Sequence, residues 1–384
     1  MGSGQEKVVA APPRKIGDNG GILLMLLIFI LAGAFSAIAK EMGCVDSVVN
    51  LTLSVLPGSF VLVGLFVTAC LVSLSIGTSC GTIAALVPIA VGIAANTSMG
   101  VPVAVAAVVG GSLFGDNLSV ISDTTIMATK TQGCRMSDKF RANLRIAMPA
   151  AIAVAAIYVF LGMGVQGEAV VNRVEALFIV PYLVVFALAL AGMNVIWVLL
   201  LGILSAMAIA LSAGVMDMPA LWAAAQAGVL GMHDLIIITI IAAVIMDQLR
   251  KRGMVDSLII RMGRLVSSRR GAELSIACTV VAVDMLTANN TIAILAVGPV
   301  ARSISYRYGI EAKRAASILD TMSCFAQGII PWGAQLLIAA GLASLNPMEI
   351  MPYLYYPYLL GAVMMLNILL HKKDTQPATL STRH

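Results

Sequence analysis

The chain has 384 residues, 60% of them hydrophobic and only 11% charged, with a formal net charge of +5. A soluble domain carries about 25% charged residues, so the composition excludes a soluble globular protein and predicts a polytopic helical membrane protein. The positive balance does not point to nucleic acid, because Lys and Arg collect in the cytoplasmic loops of membrane proteins and here they fall in a few tight groups.

Of the 24 basic residues, 22 lie in five clusters within 7–15, 130–145, 250–270, 302–314 and 372–383; no Lys or Arg occurs from Glu41 to Thr129. With all five clusters inside, each stretch between them crosses the bilayer an even number of times. A polar tail, residues 1–21, precedes the first span and carries no cleavable signal. Ile22–Ala39 then crosses outward. Gly58–Ala95 has twice the length of one span and is interrupted by "GTSCGT" at Gly77–Thr82. It is read as a re-entrant hairpin from the outer side with that polar stretch at its tip. Val101–Thr129 returns inward, broken by "GDN" at Gly115–Asn117, and Ile146–Val165 goes out again.

Residues 166–234 link the halves and contain the spans Leu177–Ala191 and Val195–Ala213. The second half, residues 235–370, begins with Leu235–Gln248. A hairpin from the inner side follows, Ala272–Ala301, with "LTANN" (Leu286–Asn290) at its tip. Ala315–Leu345 crosses outward, broken by "AQGIIPWG" at Ala326–Gly333, and Tyr353–Leu370 returns to the tail 371–384. Span, hairpin, broken span, span thus occurs twice, in 22–165 and 235–370, with opposite sidedness. The predicted fold is an all-α polytopic membrane protein built on an inverted-topology repeat with re-entrant hairpins and broken transmembrane helices, an architecture of secondary transporters. Both termini are expected in the cytoplasm.

An ionisable residue inside a membrane is costly and is a functional hypothesis by default. Four carboxylates fall in the interrupted elements: Asp116, Asp123, Asp284 and Asp320. Asp116 also suits the N-cap of a helix following "GDN", Asp284 a cap at its hairpin tip, and Asp320 an ion pair with Arg314. Asp123 has no capping role; it lies seven residues past Asp116, two helical turns on and on the same face. Hydroxyl and amide groups surround them: Thr78, Ser79 and Thr82 at one tip; Thr287, Asn289, Asn290 and Thr291 at the other; Asn117, Ser119, Ser122, Thr124, Thr125 and Gln327 at the breaks. A single Ser or Thr in such a helix often bonds back to the preceding turn; the clustering at four interruptions is what carries the expectation. The six Cys have no CxxC spacing, and His233 beside Asp234 reads as a polar helix end. Neither a metal cluster nor a nucleophile–base pair is visible, so no enzyme is expected, and no repeated filter motif supports a channel.

"GTSCGT" followed by "FGDNLSVISDTTIMA" resembles the paired signature of the NhaC-type sodium/proton antiporters, in the ion transporter superfamily, and "ILDTMSCFAQGIIPWGAQ" resembles the family's second-half stretch. There Asp320 takes the place of an acidic pair whose second member is replaced by Thr321. The resemblance implies Na+ leaving and H+ entering across a bacterial cytoplasmic (inner) membrane. A desolvated carboxylate holds its proton to higher pH, whereas Na+ favours the ionised form, so one carboxylate carries either ion but not both. On this reading Na+ is held at Asp123, the principal competing group, supported by Asp116 and Asn117, with Asp320 as second-half partner. Thr78, Ser79, Thr82, Thr124, Asp284, Thr287, Asn290 and Gln327 complete the ion- or substrate-binding set. Na+ and H+ are transported ions and no cofactor is expected. The expected partners are the lipid bilayer and small inorganic cations, not nucleic acid; a homodimer stays open. The alternative is a cation-coupled carrier or exchanger of a small organic acid or amino acid, whose carboxylate the helix N-termini at "TSCGT" and "ANNT" would bind.

Overall fold

The computed structural model describes residues 19–55, 58–119, 122–164, 175–191, 193–254, 257, 260–261, 266 and 268–370. Residues 1–18 of the expected first tail and all of the expected last tail lie outside this set. The described chain is helical: α1 (Asn19–Glu41), α2 (Cys44–Val55), α3 (Gly58–Ile76), α4 (Ser79–Ala95), α5 (Val101–Leu118), α6 (Asp123–Gln132), α7 (Met136–Gly162), α8 (Ala176–Leu190), α9 (Val195–Ser212), α10 (Met218–Leu230) and α11 (His233–Lys251). After the break in description come α12 (Arg269–Thr287), α13 (Asn290–Arg307), α14 (Ala312–Ile329), α15 (Ala334–Ala343), α16 (Pro347–Ile350), a 3-10 turn (Met351–Tyr353) and α17 (Tyr355–Leu370).

Three of the four predicted interruptions fall where expected, each with a local cause. Gly77, at φ +74°, turns the chain between α3 and α4, a conformation glycine adopts without the Cβ clash. With 19 and 17 residues, the two arms are about 28 and 26 Å long at 1.5 Å per residue. Each arm is thus close in length to the thickness of a hydrocarbon layer, about 30 Å. At the second tip Ala288 takes a left-handed φ of 49°, and Asn289 caps α13 by accepting from the Ile292 amide at 3.0 Å. Pro331 ends α14, forcing its predecessor Ile330 into an extended conformation (φ −82°, ψ 115°). The first broken span parts later than expected. "GDN" is the last turn of α5, and the extended residues are Ser119 and Ser122.

Two helices fall where the sequence reading left connections, α2 and α10. A window long enough to find a span does not register 12 or 13 residues. At about 20 Å, α10 is shorter than a hydrocarbon layer of about 30 Å. It is nucleated by Asp217, whose side chain accepts from the Ala220 amide at 2.8 Å, and it packs on α1, where Gly33 and Gly228 bring the two backbones together.

The two halves interlock reciprocally. The distal part of the first broken span, α6, packs on the second hairpin at α13; the distal part of the second, α15, packs on the first hairpin at α4. At the centre, α5 is buried from Ala104 to Leu118 except for Phe114. A helix that is apolar all round belongs inside, and Gly111 and Gly115 let it approach α3 at backbone distance, the small-residue spacing used between membrane helices. Large apolar side chains point outward instead on the peripheral helices, among them Ile152, Phe160, Leu183, Trp197, Val244 and Leu366. Counting each broken helix once, the described residues include four helices long and apolar enough to span a bilayer: Val101–Gln132, Met136–Gly162, Val195–Ser212 and Ala312–Ala343.

Candidate functional site

Both breaks and the first hairpin tip converge on one buried polar centre. Asp116, in the last turn of α5, accepts hydrogen bonds from Ser79 of the tip (2.9 Å) and from Ser122 beyond the break (2.5 Å). Ser122 also shares a 2.8 Å hydroxyl contact with Thr124. Asp116 therefore caps no helix; two hydroxyls from separate elements hold it, each placed by a backbone discontinuity.

The second carboxylate, Asp320, is fully buried midway along α14 and pairs with Lys139 of α7 at 2.6 Å. The expected partner, Arg314, is turned away. It forms a two-point contact with Glu273 (2.6 Å each) and also donates to Asn367 (2.8 Å). Lys139, itself 1% exposed, donates further to the Asn117 carbonyl (2.7 Å) and to Thr125 (2.6 Å). Asn143, one turn along α7, donates to Asp320 (2.8 Å) and to the Asn117 side chain (3.0 Å), and Asn117 donates to Thr321 (3.3 Å). The residues of the centre thus come from α4, α5, α6, α7 and α14, drawn from both halves. Lys139, Asn143 and Gln335 were missed in the sequence, and Thr321 was noted only as the replacement of an acidic residue. Lys139 sits in a cluster counted as cytoplasmic, and only the four-residue spacing to Asn143, which puts both on one face of α7, marks it.

A relay of side-chain amides continues from the centre to the second tip. Gln335 donates to Ser79 (3.0 Å), Gln327 donates to Gln335 (2.8 Å), and Gln327 donates to the carbonyl of Ala288 (3.3 Å). Both hairpin tips and both breaks are therefore joined through side chains.

The remaining predicted residues lie apart. The helix break between Asp116 and Asp123 removes the two-turn spacing that placed them on one face. Asp123 is exposed at the first position of α6, where a carboxylate favours the helix dipole. Thr82 bonds back to the Thr78 carbonyl (3.0 Å), and the Thr78 side chain caps nothing. Thr287 donates to the Asn289 carbonyl (3.2 Å), and Asn290 accepts from the Thr291 amide (3.0 Å). Asp284 is buried but belongs to no part of this network and does not cap its tip.

The centre holds two carboxyl groups, Asp116 and Asp320, against the single amine of Lys139; with both carboxyls ionised and the amine charged, one negative charge is left over. Oδ1 of Asp320 and Oδ1 of Asn143 are buried without a hydrogen-bond partner, and a native interior rarely wastes such acceptors. Carboxylate, amide and hydroxyl oxygens with one uncompensated charge suit a small hard monovalent cation, or a proton in its place.

The Na+/H+ antiporter family matches the chain over residues 17–163 and 170–371. The Na+/H+ antiporter NhaC of Bacillus subtilis is 22% identical over 371 residues, covering 88% of this chain and 81% of that protein. NhaC of Alkalihalophilus pseudofirmus is 23% identical over 368 residues, 86% of this chain and 79% of that protein. The malate-2H+/Na+-lactate antiporter of B. subtilis is 26% identical over a shorter stretch of 161 residues, 42% of this chain and 34% of that protein.

Proposed function

The chain belongs to the Na+/H+ antiporter family, and from that premise we propose that this integral membrane cation antiporter expels Na+ and admits H+ across a bacterial cytoplasmic membrane by alternating access. Both termini lie on the cytoplasmic side, in keeping with the five basic clusters. The observation that carries the reading is the buried set of two carboxyl groups, Asp116 and Asp320, with one amine, Lys139, between the two halves; with both carboxyls ionised it carries one net negative charge. One Na+ or one proton neutralises the centre, and both together would overcharge it, so the two ions exclude each other. The competing groups are the buried Asp116 and Asp320, while Asp123 is exposed at the start of α6.

Alternating access is the motion of the broken spans against the rest of the bundle. Where α5 and α14 stop, the chain is extended, and each distal segment is packed on the opposite half. Such breaks can hinge without unwinding a helix. The side-chain relay from Asp116 to Ala288 lets the occupancy of the centre bias both tips together.

The test is exchange in proteoliposomes holding a pH dye, driven by an imposed Na+ gradient. The wild type acidifies or alkalinises the lumen according to the gradient's direction, whereas Asp116→Asn does not. A normal response from Asp116→Asn would refute the assignment. A second reading, exchange of a small organic acid coupled to cations, has one structural observation in its favour: the α4 N-terminus lacks a side-chain cap, and open amides there suit a carboxylate. Uptake of malate or lactate without Na+/H+ exchange in the same vesicles would establish it instead.

A further inference from the structure

Asp284 differs from the other three buried carboxylates among the described residues, Asp116, Glu273 and Asp320, in having no polar side chain bonded to it. It lies in the last turn of α12, 0% exposed, and neither of its carboxylate oxygens has a hydrogen-bond partner among the described residues. Asp116 has two hydroxyl donors, and Asp320 has an ammonium and an amide. A buried carboxylate ion without a partner is among the costliest arrangements in a protein, and more so at membrane depth.

The charged groups on elements packed against α12 are engaged elsewhere or remote. On α12 itself Glu273 is eleven residues back, about 16 Å along the axis, and is bound to Arg314 of α14; Arg269 and Arg270 lie beyond it. On α14 Lys313 pairs with Glu311, and Asp320 with Lys139. Arg302 and Arg307 of α13 are at least twelve residues, about 18 Å, past the tip. On α11 Asp247 pairs with Lys251. The other titratable groups of α12 and the helices packed on it are Cys278 of α12, Tyr306 of α13, Cys324 of α14, His233 of α11 and Tyr355, Tyr356 and Tyr358 of α17, none of them bonded to Asp284.

The turn after Asp284 is held from within by the Ala288 amide, which donates to the Asp284 carbonyl (2.7 Å), and from outside by the neighbouring break. Ala288 holds a left-handed φ of 49°, which residues with a Cβ seldom adopt. Contacts from the break between α14 and α15 hold it: Gln327 donates to the Ala288 carbonyl (3.3 Å) and Trp332 to the Met285 carbonyl (3.2 Å). A movement of that break would withdraw both outside contacts from the turn, whose Ala288 lies one helical turn past Asp284.

We propose that Asp284 is a proton site in its own right, separate from the Asp116–Asp320 centre, loaded with one proton in this conformation and emptied when the second hairpin tip opens. The carboxylate takes up H+ to become the neutral acid and returns it to water after the tip moves. Its transport role rests on the antiport reading; the presence of its proton does not. The site adds one proton per cycle to the one that exchanges with Na+ at the centre.

Two measurements test this. Infrared spectroscopy of the purified protein at neutral pH should show a protonated-carboxyl band that Asp284→Asn removes and Asp320→Asn leaves in place. In proteoliposomes the reversal potential should show that Asp284→Asn lowers the H+/Na+ ratio by one while isotopic Na+/Na+ exchange persists. An unchanged band and an unchanged ratio would overturn the proposal. So would loss of isotopic exchange in an Asp284→Asn protein that still folds by its melting curve, since the residue would then belong to the Na+ centre. Absence of Na+/H+ exchange in the wild type would sink the antiport reading and leave the infrared result to decide the proton site alone.

Discussion

Replacing Lys139 with Met tests the charge balance of the centre. The substitution keeps most of the side chain's length and removes the ammonium. Three contacts disappear, to Asp320 (2.6 Å), the Asn117 carbonyl (2.7 Å) and Thr125 (2.6 Å). Asp320, fully buried, keeps only Asn143 as a donor. Breaking a buried pair by removing one partner costs about 3–5 kcal/mol, most of it from stranding the other charge. The net charge of the centre falls from −1 to −2, so a bound cation gains more there than in the wild type. Thermal unfolding in detergent, with Na+ replaced by choline, should show a large loss of stability in Lys139→Met. Saturating Na+ should restore more of it than Na+ adds to the wild type; binding at one hundred times the dissociation constant is worth about 2.7 kcal/mol. Lys139→Met combined with Asp320→Asn removes both members of the pair and should recover most of the loss, so that the coupling in the double-mutant cycle is at least as large as the part recovered. A single variant that melts with the wild type, and gains no more from Na+, would refute the charge balance.

Three further outcomes are expected. Asp123→Asn, an exposed change worth about 0.3–1 kcal/mol through the helix dipole, should leave Na+-driven proton movement within tenfold of wild type, whereas Asp116→Asn abolishes it in the same vesicles. Gly115→Ala places a methyl against Ser73 and the backbone of Leu74; overpacking of this kind costs about 1–3 kcal/mol, and melting temperature and exchange rate should fall together because Asp116 is the next residue. In a cysteine-free background, a cysteine at Ser98, exposed in the loop after α4, should react with an impermeant thiol reagent in intact cells. One at Tyr306, 87% exposed beside a basic cluster, should react only after the membrane is opened.

The order of elements was legible because membrane chains advertise it. Apolar length, basic clusters and the punctuation of Gly77, Asn289 and Pro331 located both hairpins and both broken spans. What escaped depends on three-dimensional placement. Lys139 reads as one more cytoplasmic lysine, since a charge count cannot see a side chain turned inward to meet Asp320 from the other half of the chain. The four-residue slip of the first break, from "GDN" to Ser119–Ser122, has no proline to mark it, and that slip moved Asp123 off the face of Asp116. Arg314 was a reasonable neighbour for Asp320 along α14, but six residues is not a helical contact spacing, and Glu273 claims it from α12. Hydroxyl clustering at the tips proved uneven: Ser79 reaches a carboxylate, while Thr82 and Thr287 satisfy nearby backbone.

The central claim is that Na+ and H+ displace one another at the Asp116–Asp320 centre. It is tested most directly by the Na+ concentration dependence of exchange, measured in proteoliposomes at several pH values with the membrane potential clamped. Below the pH at which the centre takes up its proton, the apparent Na+ affinity should fall tenfold for each unit of acidification, while the rate at saturating Na+ changes far less. An apparent affinity that stays constant across the same range would mean that the two ions bind at separate places, and would contradict the account.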